Sequence, residues 1–162
     1  MNFDIDVSGS DLLSKNYTIC IASTANGIIK GYKLNEEIVS ILSSKYGQGV
    51  YRYKKSQKGK SSIKVRIYCI IIYYLFKSLN LKGEVSLNIC RDFKGREDDI
   101  KKTLKYFLET LLGLDINHRF YFVKLSPDSN ADKYAFLMRH DTKNQMKTYI
   151  NISLEELERW LK

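Results

Sequence analysis

The chain predicts an α/β fold: a mixed central sheet of about five strands with helices on both faces. Three observations carry this. Apolar residues alternate at period two at Phe3, Ile5 and Val7, and again at Val85, Leu87 and Ile89, the mark of half-buried strands. An Asn26-Gly27 pair between two β-forming runs marks a hairpin. From Asn35 onward, helical and strand patterns alternate, which calls for crossover connections and some parallel pairing.

The first strand is set by Phe3, Ile5 and Val7, with Asp4, Asp6 and Ser8 on its opposite face. Tyr17-Thr-Ile-Cys-Ile-Ala-Ser23 is rich in β-formers and makes the second. Past the Asn26-Gly27 turn, Ile28 to Leu34 returns antiparallel to it. Asn35 caps a helix opening at Glu36-Glu37, because its side-chain oxygen can accept from free amides of the first turn. Ile38, Val39, Ile41 and Leu42 form the apolar face, and Gly47 and Gly49 end it. The stretch from Arg52 to Lys60 lacks apolar periodicity and is expected as an exposed loop. Ser61 or Ser62 then caps a second helix reaching to about Leu79. Its apolar run, Ile67 to Phe76, lies between Arg66 and Lys77; it is shorter than the ~20 residues a membrane span needs and reads as a buried helix.

Gly83 precedes a fourth strand, Glu84 to Cys90, which ends at Arg91-Asp92. Gly95 opens a helix whose first turn carries Glu97, Asp98 and Asp99, where the macrodipole favours acids. Ile100, Leu104, Phe107, Leu108, Leu111 and Leu112 form its stripe, and Gly113 its stop. Phe120 to Leu125 is a fifth strand, and Ser126-Pro127-Asp128-Ser129 a turn. Ala131 to about His140 is a short helix, Thr148 to Ile152 a marginal sixth strand, and Ser153-Leu-Glu-Glu156 a capping box for a terminal helix. No repeat, low-complexity tract or proline-rich linker divides the chain, so residues 1–162 are expected to form one domain.

Composition narrows the function. Hydrophobic residues at 44% and charged residues at 28% exclude wholesale disorder. A net charge of +9 favours an anionic partner, nucleic acid foremost; a solvated lysine-rich surface is the plain alternative. Cys20, Cys69 and Cys90 are odd in number with no C-x-x-C spacing, which fits reduced thiols in the cytoplasm. The opening residues show no basic segment leading into an apolar run, so neither a signal peptide nor a membrane partner is expected.

Three aspartates occupy telling places. Asp6 lies on the first strand, Asp92 follows the fourth, and Asp132 opens the helix after the fifth. If the first and fourth strands are neighbours, the three converge. Carboxylates gathered this way suit Mg²⁺ or Mn²⁺, and two such ions can clamp the attacking and leaving oxygens of a phosphodiester. Each also has a local reading: Asp6 capping the Ser8-Gly9 turn, Asp92 as a strand-end turn residue, Asp132 as a first-turn helix acid. His118 and His140 show no metal-ligand spacing.

The run Ile5-Asp6-Val7-Ser8-Gly9-Ser10 resembles the I-D-E-S-G-D opening of a branch of the ribonuclease H-like superfamily. Arg91-Asp92 is similar to that branch's central strand-end aspartate. Phe122-Val-Lys-Leu-Ser126, followed by Asn130-Ala-Asp-Lys-Tyr-Ala135, resembles its closing strand and helix. The resemblance spans about residues 3–140 in element order. It implies a ribonuclease H-like domain, metal ligation and catalysis by Asp6, Asp92 and Asp132, and nuclease activity. Val7 stands where that branch has glutamate, and Ser10 where it has aspartate. One acidic ligand is therefore unaccounted for; Asp4, on the same strand face as Asp6, and Glu36 and Glu37 are the candidates. A degenerate, non-catalytic nucleic-acid-binding module on the same fold is the alternative. Arg52, Lys54, Lys55, Lys58, Lys60 and Lys64 are the candidate phosphate contacts, with Tyr51 and Tyr53 beside them as candidates for base stacking.

Overall fold

Alternating burial makes β1 (Asn2–Ser8) the organising strand. Phe3 and Ile5 are fully buried on one face, and Asp4 and Asp6 project from the other. In the computed structural model, which describes residues 1–162, β1 pairs antiparallel with β2 (Thr18–Ser23), and β2 antiparallel with β3 (Ile29–Lys33). On its other side β1 pairs in parallel with β4 (Ser86–Cys90), which pairs in parallel with β5 (Phe120–Val123). The result is a five-stranded mixed sheet of order β3-β2-β1-β4-β5. The expected antiparallel trio and the parallel neighbours β1 and β4 are both present.

Helices cover both faces. α1 (Glu36–Gly47) starts as its cap predicts, with Asn35 Oδ1 accepting from the Ile38 amide at 2.8 Å. α2 (Gln57–Leu79) lies against the Phe3 face of the sheet, its Phe76 ring edge-on to Phe3 at 5.1 Å. α3 (Glu97–Leu104) packs beside α2. α4 (Asn130–Arg139) covers the Asp4/Asp6 face. The Met138 thioether of α4 packs over Gly31, where an added Cβ would lie 2.6 Å from its Sδ. α5 (Leu154–Glu158) carries the expected capping box between Ser153 and Glu156. No helix is long and apolar enough to cross a membrane.

Several boundaries differ from expectation. α2 is capped by Ser56, whose Oγ accepts from the Gly59 amide at 3.1 Å, not by Ser61 or Ser62. Lys58, Lys60 and Lys64 are therefore helical, and only Arg52, Lys54 and Lys55 remain in the loop. The first turn of α2 projects beyond the core, so it needs no apolar residue and shows no apolar period. The fourth strand begins at Ser86; Glu84 makes only an isolated bridge to Asp115. Thr148 to Ile152 is likewise no strand but a single bridge between Tyr149 and Gly31. α3 widens into a π-helical segment, Lys105–Leu111, which turns Leu111 out to 37% exposure while Phe107 stays buried. Phe107 stacks on Tyr73 at 5.2 Å and meets Trp160 edge-on at 5.4 Å. Those contacts hold the register that leaves Leu111 outside.

A Cβ at Gly59 would lie 1.9 Å from the Lys54 carbonyl oxygen, so the loop before α2 rests directly on the helix at this glycine. Gly59→Ala should lower stability by about 1–3 kcal/mol, read as a lower urea midpoint at unchanged slope. An unchanged midpoint would mean that the loop does not rest on the helix.

Candidate functional site

The site is built on the C-terminal ends of β1 and β4. Parallel register places the even-numbered faces of the two strands side by side, Asp4 beside Asn88. Beyond that pair, the Cys90 side chain neighbours the Asp6 carboxyl. The Val7 amide donates to Asp6 Oδ1 at 2.8 Å. Across the sheet face, Asp132 in the first turn of α4 lies close enough to bear on the same carboxyl. Two of the three expected aspartates thus meet side chain to side chain. Burial pushes the Asp6 carboxyl up to about 6, and the neighbouring Asp132 adds to this; the Val7 amide and Cys90 oppose it. Burial, and then the neighbouring Asp6, also push the Cys90 thiol up, so it stays protonated at neutral pH.

Asp92 sits just past β4 and is engaged elsewhere. The buried Tyr17 hydroxyl donates to its Oδ2 at 2.5 Å. Burial, and then Asp92, hold Tyr17 far above the usual phenol range, so this hydroxyl remains a donor. The Asp6 charge adds a smaller push in the same direction, so Tyr17 is also a neighbour of Asp6. The Tyr68 hydroxyl, buried in the same region, has no hydrogen-bond partner.

Asp4 is the other aspartate on this face, and it ties elements together. Asn88 Nδ2 donates to its Oδ1 at 3.0 Å, and Ser129 Oγ to its Oδ2 at 2.8 Å. Both oxygens are occupied by neutral donors that join β1, β4 and the start of α4, so Asp4 does not take the vacant ligand place. Glu36 lies 3.9 Å from Lys15 at the start of α1, and neither Glu36 nor Glu37 joins Asp6.

The chemistry of the donor set can be tested against a divalent ion. Asp6 and Asp132 supply two hard carboxylates, enough for Mg²⁺ or Mn²⁺ when water and a substrate phosphate complete the shell. No three His, Cys, Asp or Glu side chains are gathered to hold an ion. The set fits one ion held by two carboxylates. It falls short of the two-ion clamp, because no third carboxylate is gathered with the pair and Asp92 Oδ2 is taken by Tyr17.

The six expected cations are not one mobile loop. Lys64 pairs with Asp11 at 2.9 Å, and Lys60 also bears on Asp11. Arg52, Lys54, Lys55, Lys58 and Lys60 are exposed. Tyr51 is buried and donates to Glu158 Oε2 at 2.9 Å, so it offers no stacking face. Tyr53 is half-buried and packs on the core. Sequence reasoning missed Tyr17, Cys90 and Arg96. Tyr17 and Cys90 read as ordinary strand residues. Arg96 carried no signal, yet it donates to Ser61 and Ser62 at 2.8 and 3.0 Å and to Asp99 at 2.8 Å. The two serines read as helix caps are its acceptors.

A raised carboxyl in the folded state destabilises the fold once it ionises. The contribution is intact below pH 3.8, the ordinary value, and is lost as pH rises through about 6. Asp6→Asn should therefore stabilise the metal-free protein by on the order of 1–2 kcal/mol at pH 7.5 and by nothing at pH 3.5. Thermal melts of both proteins across this range, in a chelator, check it. A gain equal at both pH values would mean that ionisation of Asp6 is not the cause.

Compared with known proteins, the chain matches no family model, no curated protein and no solved structure closely enough to carry an argument, so its function is read from these side chains.

Proposed function

We propose that the protein is a divalent-metal-dependent enzyme that processes phosphodiesters of nucleic acid, built on a ribonuclease H-like domain. The observation that carries this reading is the contact between Asp6 and Asp132, which sets two carboxylates against each other where nothing cationic separates them. Like charges placed so are costly unless a proton or a metal ion sits between them. The motif around Asp6, the Asn130-Ala-Asp helix start and the order β3-β2-β1-β4-β5 support the superfamily assignment. The net charge of +9 supports a polyanionic substrate.

The chain's own contributions follow from the geometry. Asp6 is fixed on a central strand and oriented by the Val7 amide. Asp132 is delivered by α4, whose start is tied to the sheet by Ser129 and Asp4. Tyr17 orients Asp92 at the edge of the same site. A bound Mg²⁺ or Mn²⁺ would lower the pKa of a water and neutralise charge on the phosphate. Asp6 and Asp132 are the residues that would hold it.

A specific observation favours a second reading, a non-catalytic nucleic-acid-binding module. Val7 replaces a glutamate, and the Tyr17 bond occupies Asp92, so the carboxylate set is thin for hydrolysis.

Calorimetric titration with Mn²⁺ at pH 7.5 and oligonucleotide cleavage in Mg²⁺ separate the readings. The enzyme reading expects metal binding that is lost in Asp6→Asn and Asp132→Asn and kept in Asp92→Asn. It also expects cleavage to fall by at least the ~10–100-fold that loss of a metal's outer partner costs. Oligonucleotide binding without metal binding or cleavage would replace it with the module. Neither metal nor oligonucleotide binding would overturn both.

A further inference from the structure

α2 and α3 border an open groove of about 610 Å³, apart from Asp6 and Asp132. Lys58, Ser62 and Arg66 stand one helical turn apart along the α2 wall. Arg96 and Thr103 form the α3 wall, and Arg52 closes one end from the loop before α2. Four cations therefore face one carboxylate, Asp99, and that carboxylate is already bound by Arg96 at 2.8 Å. Arg52, Lys58 and Arg66 take part in no salt bridge.

The arginines are held in place. Arg66 Nε donates to the Trp160 carbonyl at 3.0 Å, and its guanidinium lies over the Phe107 ring at 4.9 Å, leaving the terminal N–H groups unspent. Arg96 is fixed by Ser61, Ser62 and Asp99. Oriented guanidinium forks with hydroxyls beside them match the several acceptor oxygens of a phosphate. With Tyr51 buried under Glu158, Tyr53 is the one aromatic side chain lining the groove, and it is itself half-buried.

We propose that this groove is a backbone-phosphate subsite that takes a phosphodiester of a bound polynucleotide away from the Asp6–Asp132 pair. The proposal rests on the nucleic-acid reading above and adds a second anchoring point to it. The loop from Asp92 to Arg96 joins the two regions, since its first residue meets Tyr17 and its last meets α2. Contacts of this kind fix the register of a strand without reading its bases.

The test uses the full chain in EDTA, so metal binding plays no part. Labelled single-stranded and duplex oligonucleotides of two unrelated sequences are titrated across a salt series. The proteins are the wild type, Arg52→Gln/Lys58→Gln, and the control Lys54→Gln/Lys55→Gln, whose positions lie outside the groove. The groove variant should bind on the order of tenfold more weakly at low salt, equally for both sequences, and its salt slope should fall by about one per cation removed. The control should change less on both counts. If the groove variant weakens no more than the control, the subsite is overturned while the nucleic-acid reading stands. If the wild type binds no oligonucleotide, that reading fails and the subsite with it. Inorganic phosphate displacing the oligonucleotide at equal ionic strength would overturn the polynucleotide assignment in favour of a free phosphate.

Discussion

Everything at this site depends on one central strand having to satisfy two opposite environments. β1 is hydrogen-bonded on both edges, so it cannot shift to relieve a bad contact. Its period-two pleat sends Phe3 and Ile5 into the core and Asp4 and Asp6 beneath α4. A carboxylate placed under a helix must find donors or give up its charge. The two aspartates solve this differently. Asp4 finds two neutral donors and becomes a tie between β1, β4 and α4. Asp6 finds one backbone amide, a thiol and another carboxylate, and its affinity for a proton rises. The same strand thus supplies a carboxylate tied into the structure and one with a raised affinity for a proton, two residues apart.

The positive charge is organised by a similar division. α2 is buried without a break from Ile67 to Phe76, so its cations lie before and after that run. At the N-terminal end some are spent on partners, as Lys64 is on Asp11. Others are gathered against α3, where the aromatic cluster of Phe107, Tyr73 and Trp160 gives Arg66 a surface to lie on. The π-helical segment belongs to this arrangement, since it sets the register at which Phe107 meets both Tyr73 and Arg66.

Features that depend on neighbours in the chain were legible in the sequence. The β1 alternation, the Asn26-Gly27 hairpin, the Asn35 cap and the Ser153 capping box all express local geometry, and each is found where the residues place it. The pairing of Asp6 with Asp132 followed from element order combined with a resemblance. What could not be read depends on partners far along the chain. Tyr17 and Asp92 are separated by 75 residues, and Tyr51 and Glu158 by 107; no periodicity marks either pair. The start of α2 was hidden for another reason: a helical turn that leaves the core loses the apolar period by which helices are recognised, and Ser56 was one serine among several.

The tie between Ser129 and Asp4 has a dynamic consequence. Ser129 stands at the N-cap of α4, but its hydroxyl is spent on the sheet, and the helix has no side-chain cap. A missing cap costs about 1 kcal/mol and leaves first-turn amides without partners. The first turn of α4, which carries Asp132, is therefore anchored at its base yet prone to fray, whereas Asp6 sits on a strand locked from both sides. One jaw of the carboxylate pair is rigid and the other is sprung. Fraying at the start of α4 would change the distance between the two carboxylates without disturbing the sheet.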